Sequence, residues 1–384
     1  MPKASVIIVT LEGRKHLERL LPGLLAQRDS GIEMEVLVLD NGSSGECRGY
    51  VERQFPDARV IELGRNYGFA PAVNRGVKES DGEYVVLLND DCNVRANWLV
   101  ELIRPFEANP SIACVGSLIL DAAGEKIDFQ TGTANIFGGG FQKDRGAEAS
   151  SARNEPFRTF FACGAACAFR RDVFEAAGML LEETFAYFED VEIGWRLNTL
   201  GYEVWTNPAS VVEHHHGATV KRFGRGFHAF LTERNALLNA WCNLSPDEAR
   251  VIIPIAMSLS ALRFSAKSGM NPYNVLGPEG YGDIFSASAE GLPEPTVFQQ
   301  LADVGKKVVK GKSLENIASL EAVADFGRLI PRLETRRGML QQRRKLPTSA
   351  LLQLMGEPFR PVIGHPREKK YIEEMGAVIR GALR

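Results

Sequence analysis

The sequence predicts an α/β protein, a mostly parallel sheet flanked by helices with a helical C-terminal region behind it. Three observations carry this. Apolar runs such as Val6-Ile7-Ile8-Val9 and Tyr84-Val85-Val86-Leu87-Leu88 are continuous rather than alternating, as in strands buried on both faces. Strand-like and helix-like stretches alternate four times in about ninety residues, the spacing of βαβ units. Beyond residue 244 the short apolar runs give way to capping signals and helical periods.

The elements follow in order. Residues 5–10 form the first buried strand, and a helix follows in which Leu17, Leu20, Leu21, Leu24 and Leu25 share a face, bent or delayed by Pro22. A second strand, 35–39, ends in the turn cluster Asp40-Asn41-Gly42-Ser43-Ser44. Residues 60–63 make a short third strand, and a small-residue helix then carries Ala70, Ala72, Val73, Asn74 and Gly76. The fourth strand, 84–88, stops abruptly at Asn89-Asp90-Asp91. A helix over 98–106 ends at Asn109-Pro110, and 112–120 is a further strand. Residues 121–156, rich in Gly, Ala and charge, read as a mobile excursion, and a loop this long in a compact domain is more often functional than idle. Sheet character returns over 160–170, and a short helix, 172–177, closes at Gly178.

Glu189 and Asp190 open a helix whose buried face carries Ile193 and Leu197, and charge alone suits carboxylates to a first helical turn. Residues 202–205 and 211–212 are strand-like and lead into Glu213-His214-His215-His216-Gly217, a histidine run that packing in a strand does not explain. Ser245-Pro246-Asp247-Glu248 has the form of a capping box with proline at N1, opening an apolar helix to 264. Residues 268–295 are loop-like, and 297–384 read as polar amphipathic helices. Within them 328–345 sets seven cations against the single acid Glu334, either a solvated helix face or a surface for an anionic membrane or acceptor.

The 384 residues suit two domains, here 1–243 and a mainly helical 244–384. With 45 basic and 48 acidic residues, the net charge of −3 makes no case for nucleic acid. Six scattered cysteines fit reduced thiols in a cytoplasmic protein. The opening Met1-Pro2-Lys3-Ala4 runs straight into a strand, so no signal peptide is expected, and no segment reaches the ~20 apolar residues of a membrane span.

Function is concentrated where strands end. Thr10 with Glu12, Asp40, Asn89-Asp90-Asp91, and Asp190 with His214 all fall on the carboxyl side of the inferred sheet, the edge at which open α/β sheets bind ligands. Oxygen ligands gathered on one turn suit a hard divalent cation and its accompanying phosphate, although Asn and Asp also favour turns for conformational reasons alone.

Over residues 4–241 the chain resembles family two glycosyltransferases of the GT-A fold, within them the rhamnosyltransferase-like group. The resemblance rests on Asp40-Asn41-Gly42-Ser43-Ser44, on Asn66, Gly68, Phe69, Ala70, Ala72, Asn74 and Gly76, on Asn89-Asp90-Asp91, on Glu189-Asp190-Val191-Glu192 reaching Arg196, and on His214, His216 and Gly217. It implies an inverting, metal-dependent transfer from a nucleotide-diphosphate sugar, TDP-rhamnose or a UDP-sugar, to a saccharide or lipid-linked acceptor hydroxyl. Thr10, Glu12 and Asp40 would then hold the nucleoside, and Asn66, Asn74, Asn89 and Asp90 would belong to the donor site. Asp91 and His214 would bind Mg²⁺ or Mn²⁺, and Asp190 would be the general base. Glu189 would be a structural or acceptor-orienting acid. Where the family usually carries Phe-Asp-Glu, this chain has Leu180-Leu181-Glu182, a departure beside the catalytic helix.

Three other classes fit the residues less well. A sugar nucleotidyltransferase or a dinucleotide dehydrogenase would place a glycine-rich phosphate loop after a strand, and Thr10-Leu11-Glu12-Gly13-Arg14 offers one glycine. A sugar-nucleotide-binding protein without turnover has no need of Asp91, Asp190 and His214 together.

Overall fold

The computed structural model describes residues 1–11, 14–28, 31–43, 46–215, 218–268, 318–362 and 365–383. The first half alternates as expected: β1 (Lys3–Thr10), α1 (Arg14–Leu25), β2 (Glu33–Asp40), α2 (Glu46–Gln54), β3 (Ala58–Glu62), α3 (Phe69–Lys78) and β4 (Tyr84–Leu88). Then come β5 (Cys92–Val94), α4 (Trp98–Ala108), β6 (Ile112–Asp121), β7 (Ile127–Phe129), β8 (Gly132–Ala134), β9 (Gly140–Gln142), β10 (Phe157–Thr159) and β11 (Ala166–Arg170). Helices α5 (Arg171–Ala176) and α6 (Glu189–Thr199) precede β12 (Glu203–His214), α7 (Ala218–Asn243) and α8 (Pro246–Ser268).

The main sheet runs β3-β2-β1-β4-β11-β6-β12-β10. β1, β2, β3 and β4 pair parallel, as do β6 and β12, while β11 lies antiparallel between β4 and β6. Apolar continuity in β4 follows from burial on both faces: Val86 and Leu88 enter one core, Val85 and Leu87 the other. Thr10 and Asp40 are register partners, so the polar residues at the ends of β1, β2 and β4 share one edge. The predicted strands at 202–205 and 211–212 are one strand, β12, with a register break between Asn207 and Val211.

Residues 121–156 are not a mobile excursion. They fold as β7, β8 and β9, and Phe129, Ile136 and Phe137 are buried. Glycine here serves close contact: a Cβ on Gly138, at φ 90°, would fall 1.7 Å from the Ala236 carbonyl oxygen of α7. The capping box at Ser245 is present, with Ser245 N donating to Glu248 Oε2 at 2.7 Å and Glu248 N to Ser245 Oγ at 3.3 Å.

The basic stretch divides: Arg328, Arg332, Arg343 and Lys345 are exposed, whereas Arg337 is buried and Arg336 and Arg344 are partly so. Helix Ala318–Arg343 packs along α7 and α8. Arg337 donates to the Trp241 and Leu244 carbonyls, Arg344 to that of Asn243, Arg343 to that of Ala176, and Arg336 to those of Gly178 and Met179. These carbonyls lie at or just past the ends of α5 and α7, where backbone acceptors lack helical partners and the dipole favours cations. Lys345 sits over the Tyr202 ring. Among the described residues no helix is long and apolar enough to cross a membrane.

Candidate active site

The acid-tipped edge is assembled by short-range hydrogen bonds. Thr10, buried at the end of β1, donates its hydroxyl to Asp90 Oδ2 at 2.6 Å, and His16 Nδ1 stands 3.4 Å from Asp90 Oδ1. That bond to Asp90 raises the His16 imidazole. The Asp40 carboxylate is buried and accepts from Gly42 N, Ser43 N and Ser43 Oγ, an Asx turn that fixes the chain leaving β2. Asn41 Nδ2 donates to Asn66 Oδ1 at 3.2 Å and to the Gly68 carbonyl at 3.0 Å, locking the loop after β3 against the loop after β2. Glu12, Gly13, Ser44, His216 and Gly217 lie outside the described residues.

Asn74 does not join this edge, which corrects its assignment to the donor site. It is buried in α3, its Nδ2 donates to the Leu180 carbonyl and Glu182 Oε1, both at 3.0 Å, and its Oδ1 accepts from Leu180 N at 3.1 Å. Both ends of the amide are spent on tying α3 to the atypical 180–182 segment.

Asp91 and His214 meet because β5 pairs antiparallel with the end of β12, putting His214 opposite Cys92. His214 Nε2 lies 3.1 Å from Asp91 Oδ1, and Nδ1 lies 3.3 Å from Asp128 Oδ2. With Nδ1 engaged by a buried carboxylate, Nε2 is the nitrogen that faces Asp91, the usual way a ligating imidazole is oriented. Two neighbouring ligands each ~2.1 Å from an octahedral ion sit roughly 3 Å apart, so the pair fits a Mg²⁺- or Mn²⁺-sized cation. Burial draws the His214 imidazole down, but the hydrogen bonds to Asp128 and Asp91 and their charges prevail and push it up to about 9. The Cys92 thiol falls in the same cluster, yet burial raises it well above its usual value, and Sγ points at the Ala165 carbonyl, so it is a poor ligand. His215 turns away, its Nε2 2.9 Å from Asn93 Nδ2.

Across from this pair, α6 begins with Glu189 and Asp190. Gly164 N donates to Asp190 Oδ2 at 3.1 Å and Val191 N to Oδ1 at 2.8 Å. Burial raises Asp190 above the ordinary carboxylate range, and the Gly164 and Val191 amides only partly offset it. Burial and then the Asp190 charge raise Glu189 further, and its Oε2 has no hydrogen-bond partner among the described residues. Further along α6, Arg196 pairs with Glu192 and donates to the Ala177 and Met179 carbonyls, so the arginine of the motif is a buried brace.

A cavity of about 940 Å³ joins the two halves, with Asn89 and His214 on one wall and Glu189 and Asp190 on another. Phe129, Phe141, Phe161, Tyr187 and Phe188 give it aromatic sides. Sequence reasoning missed Asp128, Arg145, which stands 3.3 Å from Asp128 Oδ1, and the α7 residues His228 and Thr232 that line the cavity. The alternation Ile127-Asp128-Phe129 was the one local sign that Asp128 belongs to a strand.

A largely parallel sheet whose acid-tipped edge faces a histidine–carboxylate pair and a helix that opens on two buried carboxylates has the GT-A fold. The solved structure of GalNAc-T7 with UDP, GalNAc and Mn²⁺ shares that fold with a TM-score of 0.51 at 16% identity, over 82% of this chain and 58% of that one. Residues 5–178 match the model of glycosyl transferase family 2. An uncharacterized protein, y4gI, of Sinorhizobium fredii is 30% identical over 229 residues, 57% of this chain and 25% of its own length. The O-antigen biosynthesis protein RfbC of Myxococcus xanthus is 29% identical over 57% of this chain and 18% of its own. The chain thus spans a quarter or less of these two relatives. An N-acetylglucosaminyl-diphospho-decaprenol L-rhamnosyltransferase of Mycobacterium tuberculosis is 26% identical over 55% of this chain and 75% of its own. Over residues 5–178 the chain is thus similar to glycosyl transferase family 2, and among its relatives is a rhamnosyltransferase.

Proposed function

We propose that the protein transfers a sugar, with inversion, from a nucleotide-diphosphate donor to a hydroxyl of a saccharide or lipid-linked acceptor in glycan biosynthesis. The observation that carries this reading is the shared cavity, which sets the Asp91–His214 side and the Asp190 side of the site around one space. TDP-rhamnose is the donor we favour, with a UDP-sugar next; the mycobacterial relative's name supports a rhamnosyl donor.

In this reading Thr10, Glu12, Asp40, Asn66, Asn89 and Asp90 frame the nucleotide. Asp91 and His214 hold Mg²⁺ or Mn²⁺, which when bound neutralises charge developing on the diphosphate leaving group. Asp190 takes the proton of the acceptor hydroxyl, whose oxygen attacks the anomeric carbon from the face opposite the diphosphate. A raised Asp190 is a stronger base than an ordinary aspartate yet ionised at neutral pH. Glu189, kept neutral beside it, can donate a hydrogen bond that orients the acceptor. We assign residues 1–243 to the transferase domain and 244–384 to a helical region that closes the acceptor side, where Arg263, Arg360 and Val362 line the cavity. Free thiols at all six cysteines support a cytoplasmic setting.

A thermal-shift series with TDP, UDP and GDP, with and without Mn²⁺, tests the reading. One nucleotide is expected to stabilise the protein by ~2.7 kcal/mol at a hundred times its Kd, with Mn²⁺ only. Asp91→Ala should lose the metal-dependent part. No response to any of the three refutes donor binding, and binding without release of nucleoside diphosphate from TDP-rhamnose, a UDP-hexose or a GDP-hexose would make the protein a sugar-nucleotide binder instead.

A further inference from the structure

The segment that delivers Asp190 to the cavity is held in an unfavourable backbone conformation. Phe185, Tyr187 and Phe188 have φ of 62°, 68° and 65°, three of the five non-glycine residues with positive φ in the described chain. Residues of this size rarely adopt that region unless their surroundings impose it. Phe188 is also the N-cap of α6, a position that is ordinarily extended and capped by its own side chain, and here it is left-handed and uncapped.

What imposes it is a row of side chains on α7. Asn235, fully buried, directs Nδ2 at the carbonyls of Thr184 at 2.9 Å, Ala186 at 2.9 Å and Tyr187 at 2.6 Å. Arg234 Nη2 donates to the Glu183 carbonyl at 2.8 Å and the Thr184 carbonyl at 2.9 Å, and also to Asn235 Oδ1 at 3.0 Å, which fixes which end of the amide faces the turn. Arg234 Nη1 is itself anchored by Asp325 Oδ2 at 3.0 Å. One turn on, Asn239 Nδ2 reaches the Phe188 carbonyl at 3.3 Å. The remaining carbonyl, of Phe185, accepts from Ala70 N at 3.2 Å, and Gly68 admits that approach because a Cβ there would lie 2.5 Å from the same oxygen. Every carbonyl from 183 to 188 is thus held from outside the segment, five of the six by side chains of α7.

We propose that Arg234 and Asn235 are positioning residues for the transfer reaction: by holding the carbonyls of residues 183–187 they enforce the left-handed turn that aims Asp190 into the cavity. The proposal rests on the reading of Asp190 as the base. Without the Asn235 amide the three residues are free to relax to negative φ, which rotates the start of α6 and draws Asp190 away from Gly164 N. The same helix lines the cavity with His228, Thr232 and Ala236, so acceptor contact and base placement share one rigid element.

A double-mutant cycle tests this with the full chain and Mn²⁺, measuring release of nucleoside diphosphate from whichever of TDP-rhamnose, a UDP-hexose or a GDP-hexose the wild type turns over. Asn235→Ala is expected to lower kcat by ~10²-fold, the usual scale for a displacement of about 1 Å at a reacting group. Donor KM and nucleotide affinity should stay within threefold. Asp190→Asn with Asn235→Ala should be no slower than Asp190→Asn alone, because Asn235 acts only through Asp190. The acid limb of the pH–rate profile should move in Asn235→Ala, which a mere loss of folded enzyme would not cause. Asn235→Ser retains one donor and is expected to fall between wild type and Asn235→Ala; it replaces the alanine variant if that does not fold. Multiplicative losses in the double variant, or normal kcat in the single one, would overturn the positioning role while leaving the base assignment standing. Full turnover in Asp190→Asn would overturn the base assignment, and with it any role of Asn235 exercised through Asp190.

Discussion

Replacing Asp190 by asparagine separates chemistry from folding. The carboxylate accepts two backbone bonds, from Gly164 N at 3.1 Å and Val191 N at 2.8 Å. An amide can accept only one of them through its oxygen, and the other N–H then faces an NH₂ group, a loss of about 1 kcal/mol. Against that, the substitution removes a charge that burial disfavours. The two effects oppose each other, so the melting temperature should move by no more than about 4 °C. Loss of a general base costs ~10²- to 10⁴-fold in rate, equivalent to about 3 to 5 kcal/mol of transition-state stabilisation. Release of nucleoside diphosphate, titration with nucleotide and Mn²⁺, and thermal melting on the same preparation give the three quantities. The expected result is a rate reduced by at least a hundredfold, with nucleotide affinity within a few-fold and the fold intact. A rate within tenfold of wild type, or a loss that tracks lost nucleotide binding, refutes the base.

Three further outcomes follow from the geometry. Asp128→Ala removes the acceptor that orients His214 and should weaken Mn²⁺ binding by ~10- to 100-fold, read by titration with the metal; unchanged affinity would show that Asp128 does not orient the ligand. Because Asp190 is raised and must be ionised to act, activity should fall on acidification with its half-point above about 4, the ordinary aspartate value; a half-point at or below that value would argue against a buried base. Arg263 lies between Glu233 and Glu368, all three nearly buried, so Arg263→Met should destabilise by ~3 to 5 kcal/mol in urea unfolding, and a change under 1 kcal/mol would mean that the acids take up protons or water instead.

Local chemistry made much of this protein legible from its sequence. Two-sided burial writes itself as unbroken apolar runs, so β1, β2 and β4 could be placed within about two residues, and the polar residues that end them followed from the edge rule for α/β sheets. The capping box at Ser245 was readable because its partners are three residues apart. Other features depend on residues far apart in the chain, and only the tertiary structure decided them. Asp128 meets His214 across 86 positions, and nothing near it marks it as more than a surface acid. Asn74 carries a motif position yet is spent on Leu180, because the packing of α3 leaves it facing that segment rather than the strand ends. The arginines of 328–345 have the composition of a charged surface, yet Arg336, Arg337 and Arg344 are drawn inward by the carbonyl-bearing ends of α5 and α7. Asn235 gave no signal at all, since a buried amide that holds another segment's carbonyls has no local period or spacing. Composition and pattern record how a residue meets its near neighbours in the chain. Which distant group a side chain answers to is fixed only when the sheet and the helices behind it close around the site.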